Sequence, residues 1–296
     1  MFKTLVLYSR VARIHALVMS VLSVVISYLY TLSRYGDVPL NFKAFLLVAG
    51  TILLFHLAAN TISEYRDCEN GVDDVHSPDT KYRLITGIVP RKHVFAMGIV
   101  SFCLAGILGV LALICGTLWL LMPGIIGAGL SLFYSEKPFG LKYKAFGEIC
   151  VFLAYGPLLF SSCILSMTKS LSMSDVAFSI PFGLLTTTIL LANNIRDCEF
   201  DRGKTKTIVT EFGLKFSYAA IIAMTYVTLV SMPIFVLLEI VPRGTLLTLL
   251  TYPVAFLATK KVGNSGLMNT FGLLHTTFFV SVIIGFLLSS WRNIVL

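Results

Sequence analysis

Nine continuous apolar stretches constrain this chain more than any other feature of its sequence. Most of them are long enough to cross a bilayer as an α-helix that rises about 1.5 Å per residue. The strands of an outer-membrane barrel would instead alternate apolar and polar residues. We therefore predict an all-α membrane protein, a single polytopic domain over residues 1–296, with about nine transmembrane helices at 14–33, 44–65, 93–114, 118–134, 146–167, 176–195, 215–238, 244–259 and 270–290.

Composition and charge support this class. Apolar residues form 56 % of the chain and charged residues only 13 %, whereas a globular domain carries roughly 25 % charged residues. The net charge of +8 does not indicate nucleic acid, because 18 of the 23 Lys and Arg fall at the N-terminus and in alternate loops. That bias is typical of cytoplasmic loops and predicts a cytoplasmic N-terminus. The sequence gives no sign of a nucleic-acid partner or of an obligatory protein partner.

Two acidic clusters lie where the second and sixth apolar stretches reach the predicted cytoplasmic side. The first occupies residues 64–74 and the second residues 193–202. Both contain the tetrapeptide Arg-Asp-Cys-Glu, at 66–69 and again at 196–199. The repeat is compatible with an old duplication, but its functional meaning does not depend on ancestry. Two similar acidic helix ends are expected to emerge on the same side of the membrane.

Helical spacing places the oxygen-bearing side chains of each cluster on one helix face. In the first cluster these are Asn60, Ser63, Glu64 and Asp67, and in the second they are Asn193, Asp197 and Asp201. Gly71 is expected to end the first helix and to place Asp73 on a returning loop. Carboxylates four residues apart repel unless a cation neutralises them. Mg²⁺ suits such a site, because it takes one or two carboxylates and completes its shell with substrate phosphates.

The main alternative for each cluster is a solvated loop whose charges interact with water and with nearby arginines. Asn60 and Asn193 argue against it, because polar groups in the last turns of apolar helices are costly and often functional. Asn194 lies on a different face, where it could equally be a contact between helices. For His56, one turn before Asn60, a helix-packing role is favoured over a place in a cavity wall.

Together these motifs resemble those of the UbiA superfamily of intramembrane prenyltransferases, and more narrowly the branch that makes menaquinone. Residues 193–202 match the pattern NNxRDxExDR, and residues 67–73 match DxxxGxD. Residues 134–148 resemble the central cytoplasmic loop of the family, and the segment 83–87 resembles its Arg-to-Gly stretch. The chain departs from the family at 63–64, where Ser-Glu stands in place of Asn-Asp.

The resemblance implies a helix bundle around a central cavity, in which Mg²⁺ and two Asp motifs bind an isoprenoid diphosphate. The prenyl group would pass to an aromatic acceptor in menaquinone or related quinone biosynthesis, at the cytoplasmic face of a prokaryotic cell membrane. The implied metal ligands are Glu64, Asp67, Asp73, Asp197 and Asp201. The implied catalytic residues are Asp73, Lys142 and Arg196. The implied substrate-binding residues are Asn60, Ser63, Arg66, Arg83, Tyr134, Lys142, Tyr143, Asn193, Arg196 and Lys204.

Two other functions remain open at this stage. The same chemistry could act on a glycerophosphate acceptor, as in archaeal lipid synthesis. An ion-coupled transporter would also carry polar residues at broken helices and internal symmetry, although here the acidic residues gather at one membrane face. The acceptor and the prenyl chain length are not specified by the sequence.

Overall fold

The structure is a computed structural model that describes residues 2–74, 82–263 and 266–295. Within these ranges the chain is helical, and the only β pairing is an isolated bridge between Lys144 and Lys206. The helices are α1 Phe2–Val11, α2 Leu17–Tyr35, α3 Phe42–Glu69, α4 Tyr82–Ile85, α5 Arg91–Cys115, α6 Leu121–Phe133, α7 Gly147–Leu153, α8 Leu159–Thr168, α9 Met173–Asp201, α10 Ile208–Leu237, α11 Tyr252–Lys260 and α12 Leu267–Val295.

Seven helical segments of the described chain are long and apolar enough to cross a membrane. They are Ile14–Tyr35, Phe42–Glu69, Arg91–Cys115, Gly147–Thr168, Met173–Asp201, Ile208–Leu237 and Leu267–Ser290. The prediction of an all-α, multi-pass integral membrane protein is confirmed. The other two predicted crossings are helical but shorter. Leu118–Phe133 is a short apolar helix, and Arg243–Lys260 begins as a 3-10 helix before continuing as α11. The number nine and the side of the N-terminus stay predictions.

The two helices that carry the acidic clusters extend well beyond their apolar stretches. The first runs 28 residues, over Phe42–Glu69, and the second runs 29 residues, over Met173–Asp201. An α-helix satisfies its own backbone in lipid, and neither acidic cluster contains a proline that would stop it earlier. Each acidic cluster therefore begins on a rigid helix end rather than on a loop.

Aromatic side chains hold the centre of the bundle together. Phe178 of α9 stacks on Tyr30 of α2, with ring centroids 4.1 Å apart, and the same cluster includes Phe160, Phe182, Phe278, Phe279 and Phe286, all essentially buried. At the end of α9 far from its acidic cluster, the fully buried Asp175 accepts hydrogen bonds from the hydroxyls of Tyr30 and Tyr35 at 2.7 and 2.9 Å. These contacts anchor α9 to α2.

Candidate functional site

The first acidic cluster is built by the last turns of α3 and a glycine turn. Ser63, Glu64 and Asp67 are buried there, with Asp67 only 1 % exposed. Gly71 adopts φ 68°, a left-handed conformation that glycine takes without strain. The chain then turns back, and the Asp73 amide donates to the Asp67 carbonyl at 3.0 Å. The predicted helix end at Gly71 and the return of Asp73 are confirmed.

The central loop supplies the cation that faces Asp67. The Lys142 ammonium donates to both Asp67 carboxylate oxygens, at 2.9 and 2.7 Å, and to the Ser63 hydroxyl at 2.8 Å. The Tyr143 hydroxyl donates to Asp67 Oδ1 at 2.8 Å. Burial, together with the charge of Asp67, raises the pKa of Tyr143, so this phenol stays a donor. The structure thus brings together four residues that the sequence placed in the site from distant segments.

A second cation reaches the first cluster from the N-terminal side of α2. Arg13 forms an ion pair with the buried Glu64. Burial lowers the pKa of Arg13, but the charges of Glu64 and Asp67 outweigh this and leave the pKa raised above its ordinary value. Asp73 adds to the same effect. Three carboxylates of the cluster therefore act on one guanidinium.

The second acidic cluster is organised by its own arginine. Arg196 Nε donates to Asp197 Oδ1 at 2.7 Å, and its Nη2 donates to Asp197 Oδ2 at 2.8 Å. The same Nη2 donates to Asn193 Oδ1 at 2.8 Å. Asp197 is 7 % exposed, and a planar guanidinium matches a carboxylate in this paired geometry. Asp201 is the last residue of α9, and its carbonyl accepts from the Lys204 amide at 3.0 Å.

Loop contacts join the two clusters. The Lys204 ammonium, in the loop after α9, donates to Asp74 Oδ2 at 2.7 Å. The Ala145 amide of the central loop donates to the Lys206 carbonyl at 2.9 Å. The loops that follow α3, α6 and α9 therefore meet at one end of the bundle, and the two acidic clusters share that end.

An apolar cavity of about 420 Å³ begins beside the first cluster and runs among α2, α3, α5, α6 and the α7–α8 kink. Asn60 and Tyr134 line it. Lys142 Nζ lies 5.8 Å from the centre of the Tyr134 ring, so the cavity wall reaches the ammonium that binds Asp67. The rest of the wall is mostly aliphatic and glycine, with residues such as Val48, Ile52, Gly109, Leu113 and Gly127. A ligand in this cavity would therefore have charged side chains near one end and hydrocarbon walls along the rest of its length.

The carboxylates fit Mg²⁺ by chemistry rather than by a preformed cage. Among the described residues no three His, Cys, Asp or Glu side chains lie close enough together to hold a metal ion. Hard oxygen ligands are nevertheless the ones Mg²⁺ prefers, and it commonly keeps only one or two carboxylates besides water and phosphate. Asp67 with Asp73 of the returning loop, and Asp197 with Asp201 one helical turn further on, offer such pairs. The donor set therefore fits the ion.

Two of the remaining residues have other partners. Arg66 is bonded to Glu136 of the central loop. Asn194 donates to the buried Glu148 at 2.9 Å, a contact between α9 and α7 that accounts for this amide. The side chain of Arg83 lies outside the described residues. The sequence interpretation missed Glu136, Glu148 and the pairing of Arg13 with Glu64, although Arg13 is a rare charge directly before an apolar helix.

Comparisons with known proteins support the sequence motifs. The sequence model of the UbiA prenyltransferase family matches residues 20–266. The chain is 27 % identical over 257 residues to the 1,4-dihydroxy-2-naphthoate octaprenyltransferase of Bacillus subtilis, covering 85 % of this chain and 82 % of that protein. It is 30 % identical over 217 residues to UbiA prenyltransferase domain-containing protein 1 of Gallus gallus, covering 70 % of this chain and 62 % of the relative.

The fold also has a solved counterpart. A UbiA homologue from Archaeoglobus fulgidus, solved with DMAPP and Mg²⁺, superposes with a TM-score of 0.60 at 17 % identity, covering 94 % of this chain and 98 % of that one. At this identity the likeness establishes the shared fold. The helix order described above is therefore that of a known membrane bundle.

Proposed function

The chain belongs to the UbiA prenyltransferase family, and from that premise we propose that it transfers a prenyl group from an isoprenoid diphosphate to an aromatic acceptor, with Mg²⁺ as cofactor. The quinone branch of the family is favoured, because the Bacillus subtilis relative is a dihydroxynaphthoate octaprenyltransferase. Menaquinone or related quinone biosynthesis follows as the proposed role.

One observation carries the proposal: the two acidic clusters, each with its own cation, share one end of the bundle, and an apolar cavity begins beside the first of them. Lys142 contacts Asp67 there, and Arg196 contacts Asp197. A prenyl diphosphate matches this arrangement, because its charge is confined to one end and the rest of the molecule is an apolar tail. The charged end of the site would hold the head group, and the aliphatic wall would hold the tail.

The chain's own cations have a defined task in this chemistry. Breaking the allylic C–O bond leaves diphosphate with developing negative charge, which nearby cations stabilise. Lys142 and Arg196 are the proposed countercharges, with Arg66, Arg83 and Lys204 as further phosphate-binding groups. Bound Mg²⁺, held by Glu64, Asp67, Asp73, Asp197 and Asp201, would supply Lewis-acid stabilisation of the same leaving group.

The apolar cavity has the complementary task of protecting the allylic cation. Hydrocarbon walls exclude the water that would quench it. Tyr134 and Tyr143 lie beside the charged end, where a phenol ring can stabilise positive charge through its face. Asn60, Ser63 and Asn193 would orient the diphosphate. Asp73, buried and close to Asp67, is the proposed acceptor of the proton that the ring loses after attack.

The test is product identification. Purified protein would be supplied with Mg²⁺, geranylgeranyl diphosphate and a panel of acceptors, namely dihydroxynaphthoate, hydroxybenzoate and glycerol phosphate. We expect a mass increase equal to the prenyl group on an aromatic acceptor. Prenylation of glycerol phosphate alone would move the protein to lipid synthesis. If none of the acceptors is prenylated, the enzymatic proposal is contradicted and the transporter is favoured.

The proposed orientation places the N-terminus and both acidic clusters in the cytoplasm, with nine crossings. The bias of Lys and Arg toward these loops supports it. Single cysteines introduced at Asp74 and at 203–206 should react only with reagents applied from the cytoplasmic side. Labelling of either position from outside would overturn the orientation.

A further inference from the structure

Three polar side chains form a cluster inside the apolar cavity, away from its charged end. Ser20 of α2 lies 2.8 Å from His56 Nδ1 of α3, and the Tyr155 hydroxyl lies 2.8 Å from His56 Nε2 and 3.1 Å from Nδ1. All three line the cavity. The sequence favoured simple helix packing for His56, yet the structure places it in the cavity wall. No role in binding the diphosphate accounts for this cluster.

The backbone is shaped so that Tyr155 reaches the cluster. It lies in the π-helical turn Ala154–Leu158 between α7 and α8, where Gly156 leaves helical geometry at φ −106° and ψ −105°. Such turns are frequent at functional sites. The kink is packed tightly, because a Cβ on Gly156 would lie 3.1 Å from the Gly183 Cα of α9. Tyr155 is therefore directed by a rigid contact between two helices.

The cluster can present either a donor or an acceptor to a ligand. A neutral imidazole has one N–H and one bare nitrogen. If Nδ1 is bare and accepts from Ser20, then Nε2 carries the ring proton and the phenol proton is free for a ligand oxygen. In the other tautomer Nε2 accepts the phenol proton, and the Tyr155 oxygen can receive a hydrogen bond from a ligand hydroxyl. This versatility suits a phenol or a quinone oxygen.

Position decides which part of the substrates the cluster would meet. His56 lies one turn from Asn60, about 6 Å along α3, and about 16 Å from Asp67 on the same helix. In the described structure the Asn60 Nδ2 is buried and has no hydrogen-bond partner, so the wall between His56 and Asn60 offers a spare donor. This interval is about the width of an aromatic ring.

We propose that Tyr155, backed by His56 and Ser20, binds the ring oxygen of the aromatic acceptor and so places the ring beside the allylic carbon; the inference rests on the proposed function. A diphosphate would not select this cluster, because His56 is bonded only to neutral hydroxyls here. An isoprenoid tail would not select it either, since burying hydroxyl groups against hydrocarbon is unfavourable. An oxygen-bearing ring satisfies both the cluster and Asn60.

The test compares two ligands with a set of variants of the full chain. The ligands are dihydroxynaphthoate, as the acceptor, and a naphthoate without ring hydroxyls, tested as a competitive inhibitor. Tyr155→Phe should raise the KM of dihydroxynaphthoate about tenfold, the usual effect of one net hydrogen bond. It should leave the KM of the prenyl diphosphate and the inhibition constant of the hydroxyl-free naphthoate within about twofold. His56→Leu should act likewise, and the double variant should add little.

Ser162→Ala is the matched control. Its hydroxyl also belongs to a cavity-lining residue, but it bonds to the Leu158 carbonyl of its own helix at 2.7 Å, so both KM values should stay unchanged. Equal effects of Tyr155→Phe on both naphthoates, or on the KM of the prenyl diphosphate, would overturn the inference and leave the cluster as a contact between helices.

The same variants separate this inference from the proposed function. If the wild-type protein transfers no prenyl group, the proposed function fails, and the ligands are compared by equilibrium binding instead. Tyr155→Phe should then weaken binding of dihydroxynaphthoate about tenfold and leave the hydroxyl-free naphthoate unaffected. Equal binding of dihydroxynaphthoate by wild type and variant would overturn the inference on its own.

Discussion

The two acidic clusters contain the same tetrapeptide but are neutralised in different ways. In the first, the cation facing Asp67 is Lys142, which lies 75 residues away in sequence. In the second, the cation facing Asp197 is the preceding residue, Arg196. The equivalent arginine of the first cluster, Arg66, turns instead to Glu136 of the central loop.

The difference shows that identical local sequences acquire their roles from tertiary context. In the second cluster, Arg196 and Asp197 lie side by side on α9, and Arg196 Nη1 also lies 3.4 Å from Met268 Sδ of α12. The first depends on the central loop, which supplies Lys142 and Tyr143 to Asp67 and Glu136 to Arg66. We therefore expect the first cluster to be the one that responds to changes in that loop.

The largest effects should come from replacing Asp67 and Asp197, the aspartates at the same position of the repeated tetrapeptide. Asp67→Asn and Asp197→Asn keep the side-chain size but remove the charge that would bind Mg²⁺. Prenyl transfer should fall by at least about 100-fold in each, the scale expected when a main electrostatic stabiliser is lost. The measurement is turnover of purified, normally inserted protein. Asp37→Asn, an exposed carboxylate outside both clusters, is the control, and near-normal turnover in both cluster variants would favour solvated loops.

Breaking the long-range contact alone should have the next largest effect. Lys142→Ala removes the ammonium that bonds both carboxylate oxygens of the buried Asp67, while the hydrogen bond from Tyr143 stays. We expect turnover to fall about 10- to 100-fold and the protein without metal to melt at a lower temperature. Lys144→Ala removes a neighbouring exposed lysine whose ammonium donates to the Pro138 carbonyl; a loss as large there would show that loop charge, rather than the Asp67 contact, matters.

Replacing the two equivalent arginines tests the comparison directly. Arg196→Gln removes two hydrogen bonds to Asp197, whereas Arg66→Gln removes a contact with Glu136. We expect the KM of the prenyl diphosphate to rise about tenfold in the first variant and clearly less in the second. Equal changes would mean that the motifs work by their local sequence, and that the different partners in the structure have no consequence.

Much of the fold followed from the sequence because the bilayer fixes the length of its helices. The turn at Gly71 was also predictable, since a left-handed residue after a helix is usually glycine. The pairing of Arg13 with Glu64 was not, because no local period connects residues so far apart. The contact of His56 with Tyr155 was not predictable for a similar reason, since Tyr155 reaches it only through a kink in another helix.

The smallest effects should appear in thermal stability, where the ligand itself distinguishes the two clusters from an apolar cavity. A diphosphate alone would be repelled by Asp67, Asp73, Asp197 and Asp201, so little stabilisation is expected in EDTA. Mg²⁺ and a prenyl diphosphate together should raise the melting temperature, because ligands that bind only the folded chain stabilise it by mass action. Lys142→Ala should reduce that rise without abolishing it, as Arg196 and the metal still supply countercharge.

The free prenyl alcohol is the control ligand, because it shares the isoprenoid tail of the diphosphate but lacks its charge. Stabilisation by the alcohol equal to that by the diphosphate, and independent of Mg²⁺, would mean that only the hydrocarbon wall selects the ligand.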